Sequence, residues 1–391
     1  MKKFLSFLLV AAIAFLACYY FFFSEKEDDN YAAFVASIEE NPSMYPLYNR
    51  LSDKEQEAYI KICSAAQNFN KKIARVYTGN SKRDVQNFIT TLENYLYREI
   101  AYEHPEMFWY DPYNFEYAIM TSGNEYYLDI TPSYLLDKDQ VSQMTPAFET
   151  KIERIVSGAK NKKDTYEQVL YVHDYIVSNC AYDYAAYENE DYTSPSINAY
   201  GCLVEGKAIC SGYAMAFNAV MKRLGYEIGV EFNSYNGLSI FGEGHVWNYC
   251  KLDGDYYYFD LTWDDTSPDS EIYKFQPYTH SYFAVTTDEL TAAHLTLAPQ
   301  AETPECTGTK YNYFVYNGLN FSKYDLDTVT PAIRKQADQG YIELRFDSYS
   351  ELLAAQRDLM TNDKIFDILD ISSCKYYTSK SNLQLYILLY D

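Results

Sequence analysis

Residues 244–265, GHVWNYCKLDGDYYYFDLTWDD, read as two strands joined at Asp253-Gly254. Asp-Gly between alternating hydrophobic residues is a strong hairpin signal, because a tight two-residue turn needs positive φ at both positions. With these two residues at the tip, the register predicts Trp247 opposite Asp260 and His245 opposite Thr262. Side chains alternate with period two, so His245, Trp247, Asp260 and Thr262 share one face and Cys250 points to the other. Asp260 is then a diagonal neighbour of His245, near enough to accept an imidazole N–H and fix its tautomer. A four-residue loop over 252–255 keeps this parity, whereas a three-residue loop with a bulge breaks it.

Upstream, residues 199–217 read AYGCLVEGKAICSGYAMAF. A helix is predicted to begin near Cys210, with Ala214, Phe217, Val220 and Leu224 on its buried side and Gly225 as its stop. A thiol at a helix N-terminus feels the positive end of the macrodipole and the unpaired first-turn amides, which favour thiolate and can also face a developing oxyanion. A lone cysteine is most often a small buried core residue. The histidine–acid pair on a hairpin in the same domain lifts Cys210 above that background.

These two segments, with the VHDYIVSNCAYD helix at 172–183 and HSYFAVTTDEL at 280–290, resemble the core of the transglutaminase-like superfamily over about residues 165–300. The similarity is to the bacterial branch related to cytokinesis protein 3 and the kyphoscoliosis peptidase. It implies an α+β, papain-like core in which the nucleophile helix packs on an antiparallel sheet. It also implies chemistry through a thioester, with Cys210, His245 and Asp260 in the family's three catalytic positions. The second oxyanion donor has no obvious position: Val204 stands six residues before Cys210 where a papain would have Gln, and Tyr200, Asn198 and the Trp247 indole are candidates. Cys202 is expected to pack beneath the active helix. The large animal relatives are calcium-activated, but the acidic stretches 188–191 and 264–269 lack EF-hand spacing and read as solvated loops. A zinc set of Cys202, Cys210, His245 and Cys250 lacks paired short spacing. No cofactor or metal is therefore expected. His104, His173, His280 and His294 have no evident partner and are expected to be structural.

Outward from this core, Asp164 with Glu167 predicts a capped helix whose buried side includes Val169, Val172 and Ile176. Residues 161–300 are expected to form the catalytic domain and residues 31–160 an α+β accessory region. In the accessory region, DKEQEAYIKICSAAQNF, RDVQNFITTLENYLYREIAYEHP and 148–156 read as helices and NEYYLDITPSY as a strand. The cluster MFWYDPYNFEY is expected to be a buried aromatic patch. Residues 301–391 alternate strand (YNYFVYNGLNF), helix (TPAIRKQADQ), strand (YIELRF), helix (YSELLAAQRDLM) and strand (LQLYILLYD), a small α/β domain.

The chain has 391 residues, with 32 Lys+Arg against 55 Asp+Glu, a net charge of −23 that removes any electrostatic footing for nucleic acid. Its 44 tyrosines supply half-buried rings rather than a basic face. Residues 4–23, FLSFLLVAAIAFLACYYFFF, are long enough to span a bilayer. Lys2 and Lys3 precede this run and Glu25, Glu27, Asp28 and Asp29 follow it, which places the body outside the cytoplasm. Residues 1–23 are expected to be an uncleaved single-pass anchor, or a signal segment that leaves a lipoprotein through Cys18, and 24–30 a linker. Disulfide pairing is undetermined by spacing. The expected function is a tethered thiol enzyme acting on amide bonds of peptides, proteins or cell-wall peptides, with hydrolysis favoured over crosslinking. The alternative is a silent surface binding or scaffolding module.

Overall fold

A computed structural model describes residues 29–69, 74–233, 244–266, 278–293 and 303–390. The apolar run 4–23, Cys18 and His294 lie outside these residues. Among the described residues no helix is long and apolar enough to cross a membrane. The chain is a mixed α+β structure with three main sheets.

The N-terminal part comprises α1 (Asp29–Glu40), α2 (Asp53–Gln67), β1 (Ala74–Gly79) and α3 (Lys82–Thr91). A π-helical turn at Leu92–Leu96 leads from α3 into α4 (Tyr97–Glu103), followed by β2 (Tyr110–Ser122), β3 (Glu125–Tyr134) and α5 (Lys138–Lys160). Local signals start the helices. The Ser52 amide donates to Glu55 at 2.8 Å, and Asp137 and Gln140 cap one another reciprocally. The strands form an antiparallel sheet in the order β1-β3-β2. Sequence patterning anticipates β3 but not β1 or β2. The aromatic cluster is buried only at its start: Met107, Phe108 and Tyr110 are in the core, whereas Tyr117, farther along β2, is exposed.

Next come α6 (Thr165–Asn179), the two-residue strands β4 (Ala181–Tyr182) and β5 (Lys207–Ala208), and α7 (Cys210–Leu224). As expected, Asp164 accepts the Glu167 N–H at 2.9 Å and Gly225 closes α7 at φ 91°. β6 (Ile228–Asn233), β7 (His245–Leu252), β8 (Asp255–Phe259) and β9 (Phe283–Val285) form an antiparallel sheet in sequence order. Asp253 and Gly254 take φ of 50° and 102°, and the predicted register holds from Leu252↔Asp255 to Asn248↔Phe259. One reading needs correction. β8 stops at Phe259, and Asp260 caps a short helix, α8 (Leu261–Asp264), so Thr262 lies on a helix and not on the strand. The Asp260 carboxylate accepts the Trp263 N–H at 3.1 Å, a local alternative that ends the ladder.

The apolar core is continuous across residue 160. Phe148, Ile152 and Ile155 of α5 share a cluster with Val169 and Val172 of α6 and with Phe217 of α7. Fully burying a side chain such as Phe217 contributes roughly 1.5–3 kcal/mol, so α7 is clamped along its whole buried side.

The C-terminal part has its own core around Val329, Ile333, Ile342, Leu344 and Ile387. It is built from β10 (Asn320–Phe321), α9 (Leu326–Gln336), β11 (Tyr341–Phe346), α10 (Tyr349–Gln356), β12 (Ser373–Ser379) and β13 (Gln384–Tyr390). The sheet order is β10-β11-β13-β12, with β10 parallel to β11. Here the strand predicted at YNYFVYNGLNF is mostly a helical turn, Tyr313–Tyr316. Asn312 accepts the Phe314 and Val315 N–H groups and so nucleates the turn, and only Asn320 and Phe321 pair as strand. The edge strand β12 escaped notice because its polar, largely exposed residues lack an apolar alternation.

Candidate active site

Cys210 is the first residue of α7 and is 2% exposed. The first helical hydrogen bond runs from the Tyr213 N–H to the Ile209 carbonyl at 3.2 Å. The amides of Cys210, Ser211 and Gly212 thus lie ahead of the helical ladder, where an anion can be received. Two features force this placement. A Cβ on Gly212 would stand 2.5 Å from the Ser196 carbonyl and 2.8 Å from Ala208 Cβ, so glycine allows the preceding turns to press against the helix start. Asn248 of β7 donates to the Ala214 carbonyl and to Asn218 Oδ1, both at 3.0 Å, which pins the histidine strand to the cysteine helix.

His245 opens β7 and meets both expected partners. Its Nε2 lies 2.6 Å from Asp260 Oδ2, and its ring is in hydrogen-bond contact with the Cys210 thiol. Because Asp260 engages Nε2, Nδ1 is the nitrogen left for the sulfur. Burial works against a charged imidazole here. The Asp260 charge and hydrogen bond, with the Cys210 contact, outweigh it and push His245 up to about 10. Asp260 is fully buried and serves two partners, His245 through Oδ2 and the Trp263 amide through Oδ1.

Leaving the strand at Asp260 does not lose the pair. It adds a residue that strand parity places on the wrong face: one helical turn brings Trp263 next to Asp260, and its indole stacks on His245 at 5.6 Å and 28°. Trp247 lies on another side of the ring at 5.7 Å. The imidazole is thus walled by two indoles, one buried and one, Trp263, 43% exposed. Strand periodicity hides Trp263. The signal that could have found it is the Asp-x-x-Trp spacing of a capped turn.

Two candidate oxyanion donors are engaged elsewhere. Asn198 donates to the Phe108 carbonyl at 3.1 Å and accepts the Tyr200 and Gly201 amides, while the Tyr200 ring packs on Phe108 and Phe148. Trp247 stays beside His245. Cys202 is buried in a π-helical turn (Gly201–Glu205), where its thiol contacts that of Cys180, and burial pushes it well up. All seven described cysteines are thiols.

The histidines expected to lack partners need a second correction. His173 Nε2 lies 3.1 Å from Asp264 Oδ2, and His280 Nε2 lies 3.1 Å from Asp174 Oδ1. These partners stand 91 and 106 residues away in sequence, while His173 Nδ1 also meets the adjacent Asp174 at 2.9 Å and His104 meets Tyr59 at 2.6 Å and Glu106 at 2.8 Å.

Residues 151–261 match the transglutaminase-like superfamily, a stretch that contains Cys210, His245 and Asp260. Among solved structures, one described as the crystal structure of a TGase is similar at 13% identity and a TM-score of 0.27, over 40% of this chain and 46% of that one. A second, named as a candidate cysteine protease from Cytophaga hutchinsonii, is similar at 15% identity and a TM-score of 0.23, over 39% of this chain and 62% of that one. The chain thus spans less than two thirds of the length of either. No curated protein matches it.

Proposed function

We propose that the protein is a cysteine-dependent enzyme that cleaves amide bonds of peptide or protein substrates through a thioester on Cys210. The observation that carries this reading is the contact of one imidazole with both the Cys210 thiol and the buried Asp260 carboxylate. A protonated His245 gives the sulfur a cationic neighbour, the setting in which cysteine acts as a nucleophile. The sulfur attacks the amide carbonyl, and the oxyanion that forms faces the leading amides of α7. The C–N bond then breaks as His245 passes its proton to the departing amine. His245, now neutral, takes a proton from water as the hydroxide adds to the thioester. Collapse releases the carboxylic acid, which loses its proton to water, and leaves the sulfur anionic beside the imidazolium.

Hydrolysis is favoured over transfer to a lysine amine because Trp263, which covers His245, is open to solvent on its outer side. The apolar run 4–23 tethers the chain, with the body on the outer face and surface peptides or wall peptides within reach. A C-terminal tag should accordingly be digested by protease added to intact cells.

The test is to trap the acyl-enzyme from cell-surface material and weigh the adduct on Cys210, alongside the Cys210→Ala variant. A Cys210-linked acyl mass and loss of cleavage in the variant are expected, and unchanged cleavage in the variant overturns the reading for that substrate. A binding module without turnover is the second reading, favoured by the near-complete burial of Cys210. It predicts substrate binding with no adduct.

A further inference from the structure

A second group of titratable side chains lies outside the Cys210 site and takes no part in the chemistry proposed there. His173 and Asp174 come from α6, His280 from the segment leading into β9, Asp264 from the end of α8, and Glu343 from β11 of the C-terminal sheet. His173, Asp264 and Glu343 are fully buried and His280 nearly so, while the Asp174 carboxylate is 29% exposed. His173 Nδ1 lies 2.9 Å and His280 Nε2 3.1 Å from the same oxygen, Asp174 Oδ1. One ligand atom from each of these three residues lies within 4.8 Å of the other two. Two ligands each about 2.1 Å from a zinc ion stand roughly 3.0–3.4 Å apart at octahedral to tetrahedral angles. The two edges that meet at Asp174, 2.9 and 3.1 Å, are already close to that spacing.

The far sides of the two rings supply an independent observation. His173 turns its other nitrogen, Nε2, to Asp264 Oδ2 at 3.1 Å, and Asp264 is itself held by the Thr279 hydroxyl and the Tyr282 amide. His280 turns its Nδ1 toward Glu343 Oε2 at 3.8 Å, beyond hydrogen-bond range. Both Glu343 oxygens and His280 Nδ1 are buried without a hydrogen-bond partner. Carboxylate behind imidazole, with the opposite nitrogen turned inward, is how a metal-binding histidine is oriented and made more basic. At His173 this bond is made, and at His280 the Glu343 carboxylate stands behind the ring at 3.8 Å without closing it. Tyr313 lies flat on His280 at 3.8 Å and Phe283 edges His173 at 5.2 Å, which fixes both rings in an apolar shell. Asp174 opens on a cavity of about 450 Å³ bordered by Lys162, Tyr171, Tyr175 and Tyr278, a route by which an ion can enter.

We propose that His173, Asp174 and His280 bind one divalent ion of the zinc class, with Asp264 and Glu343 orienting the two imidazoles and a further coordination position facing the cavity. The ligands are two imidazoles and a carboxylate, the borderline set that suits zinc rather than magnesium or calcium. Glu343 ties the site to the C-terminal sheet, so the ion fastens that part of the chain to α6. This site does not depend on the reading of Cys210.

The test uses the full chain in detergent with Cys210→Ala, which removes the thiol paired with an imidazole, stripped with EDTA and reloaded with Zn²⁺ or Co²⁺. One equivalent of metal by elemental analysis after gel filtration is expected, together with visible Co²⁺ d–d bands and no sulfur charge-transfer band. Asp174→Asn and His280→Gln should each weaken binding at least tenfold, and Glu343→Gln about tenfold, the usual cost of losing an orienting partner. Asp174 is partly exposed, so its variant reports even if His280→Gln does not fold. The proposal is overturned if the folded Cys210→Ala chain retains no metal, if Asp174→Asn binds as tightly as its parent, or if the cobalt spectrum shows thiolate ligands.

Discussion

Asp260 decides what His245 can do. Its charge and hydrogen bond hold the imidazole up to about 10 against a burial that acts in the opposite direction. Replacing it with Asn keeps the shape and removes the charge, so the His245 proton should come off at lower pH. Expected for Asp260→Asn is an alkaline limb of the kcat/KM profile displaced downward by at least a unit, with kcat lowered roughly 10²-fold or more. An unmoved limb would detach Asp260 from His245. The same link predicts a pH signature in stability. A histidine raised above its unfolded value of about 6.5 contributes stability that is fully present below that pH and is lost as pH rises through about 10. The difference in urea midpoint between the parent and Asp260→Asn should therefore be largest at pH 6 and shrink by pH 10.

At the junction of β7 and α7 the site depends on one buried amide. Asn248 reaches the Ala214 carbonyl and Asn218 Oδ1, and Asn218 in turn donates to the Tyr102 carbonyl at 2.8 Å. Leucine at 248 would leave the Asn218 oxygen buried without its donor, at a cost of about 1–3 kcal/mol. Expected for Asn248→Leu is that loss in chemical denaturation and a drop in kcat larger than any change in KM, because the strand carrying His245 loses its fastening to the cysteine helix. Equal stability and kcat would show that apolar packing alone sets the register. The hairpin itself was legible from Asp253-Gly254, since positive φ at two adjacent residues is a local demand. The end of β8 was not: a carboxylate that caps a helix and a carboxylate that faces across a strand have the same sequence.

The C-terminal core meets the rest of the described residues across a polar seam. Arg345 of β11 donates to Glu289 Oε1 and Asn320 Oδ1, each at 2.7 Å, and lies over the Phe314 ring. Ser281 bonds Gln384 at 2.8 Å, and the Tyr166 and Tyr316 rings stack at 3.6 Å. Glu289 is part exposed, which reduces the worth of its ion pair below that of a fully buried one. Arg345→Met should cost up to about 1 kcal/mol and make the C-terminal sheet more susceptible to limited proteolysis, with cleavages after residue 303 appearing first. Unchanged proteolysis would show that the ring contacts hold the seam without the charge.

The helix starts at Asp164 and Cys210, the stop at Gly225 and the hairpin tip were open to reading because each is governed by groups a few residues apart. The closeness of His245 and Asp260 was also readable from the hairpin register, and the family resemblance added Cys210 to the pair. Folding of the whole chain was needed for Trp263 to come over the imidazole, for one continuous core to cross residue 160, and for His173 and His280 to converge on Asp174. Those contacts join segments far apart along the chain, and the packing of side chains between layers sets them, which no short window of residues encodes.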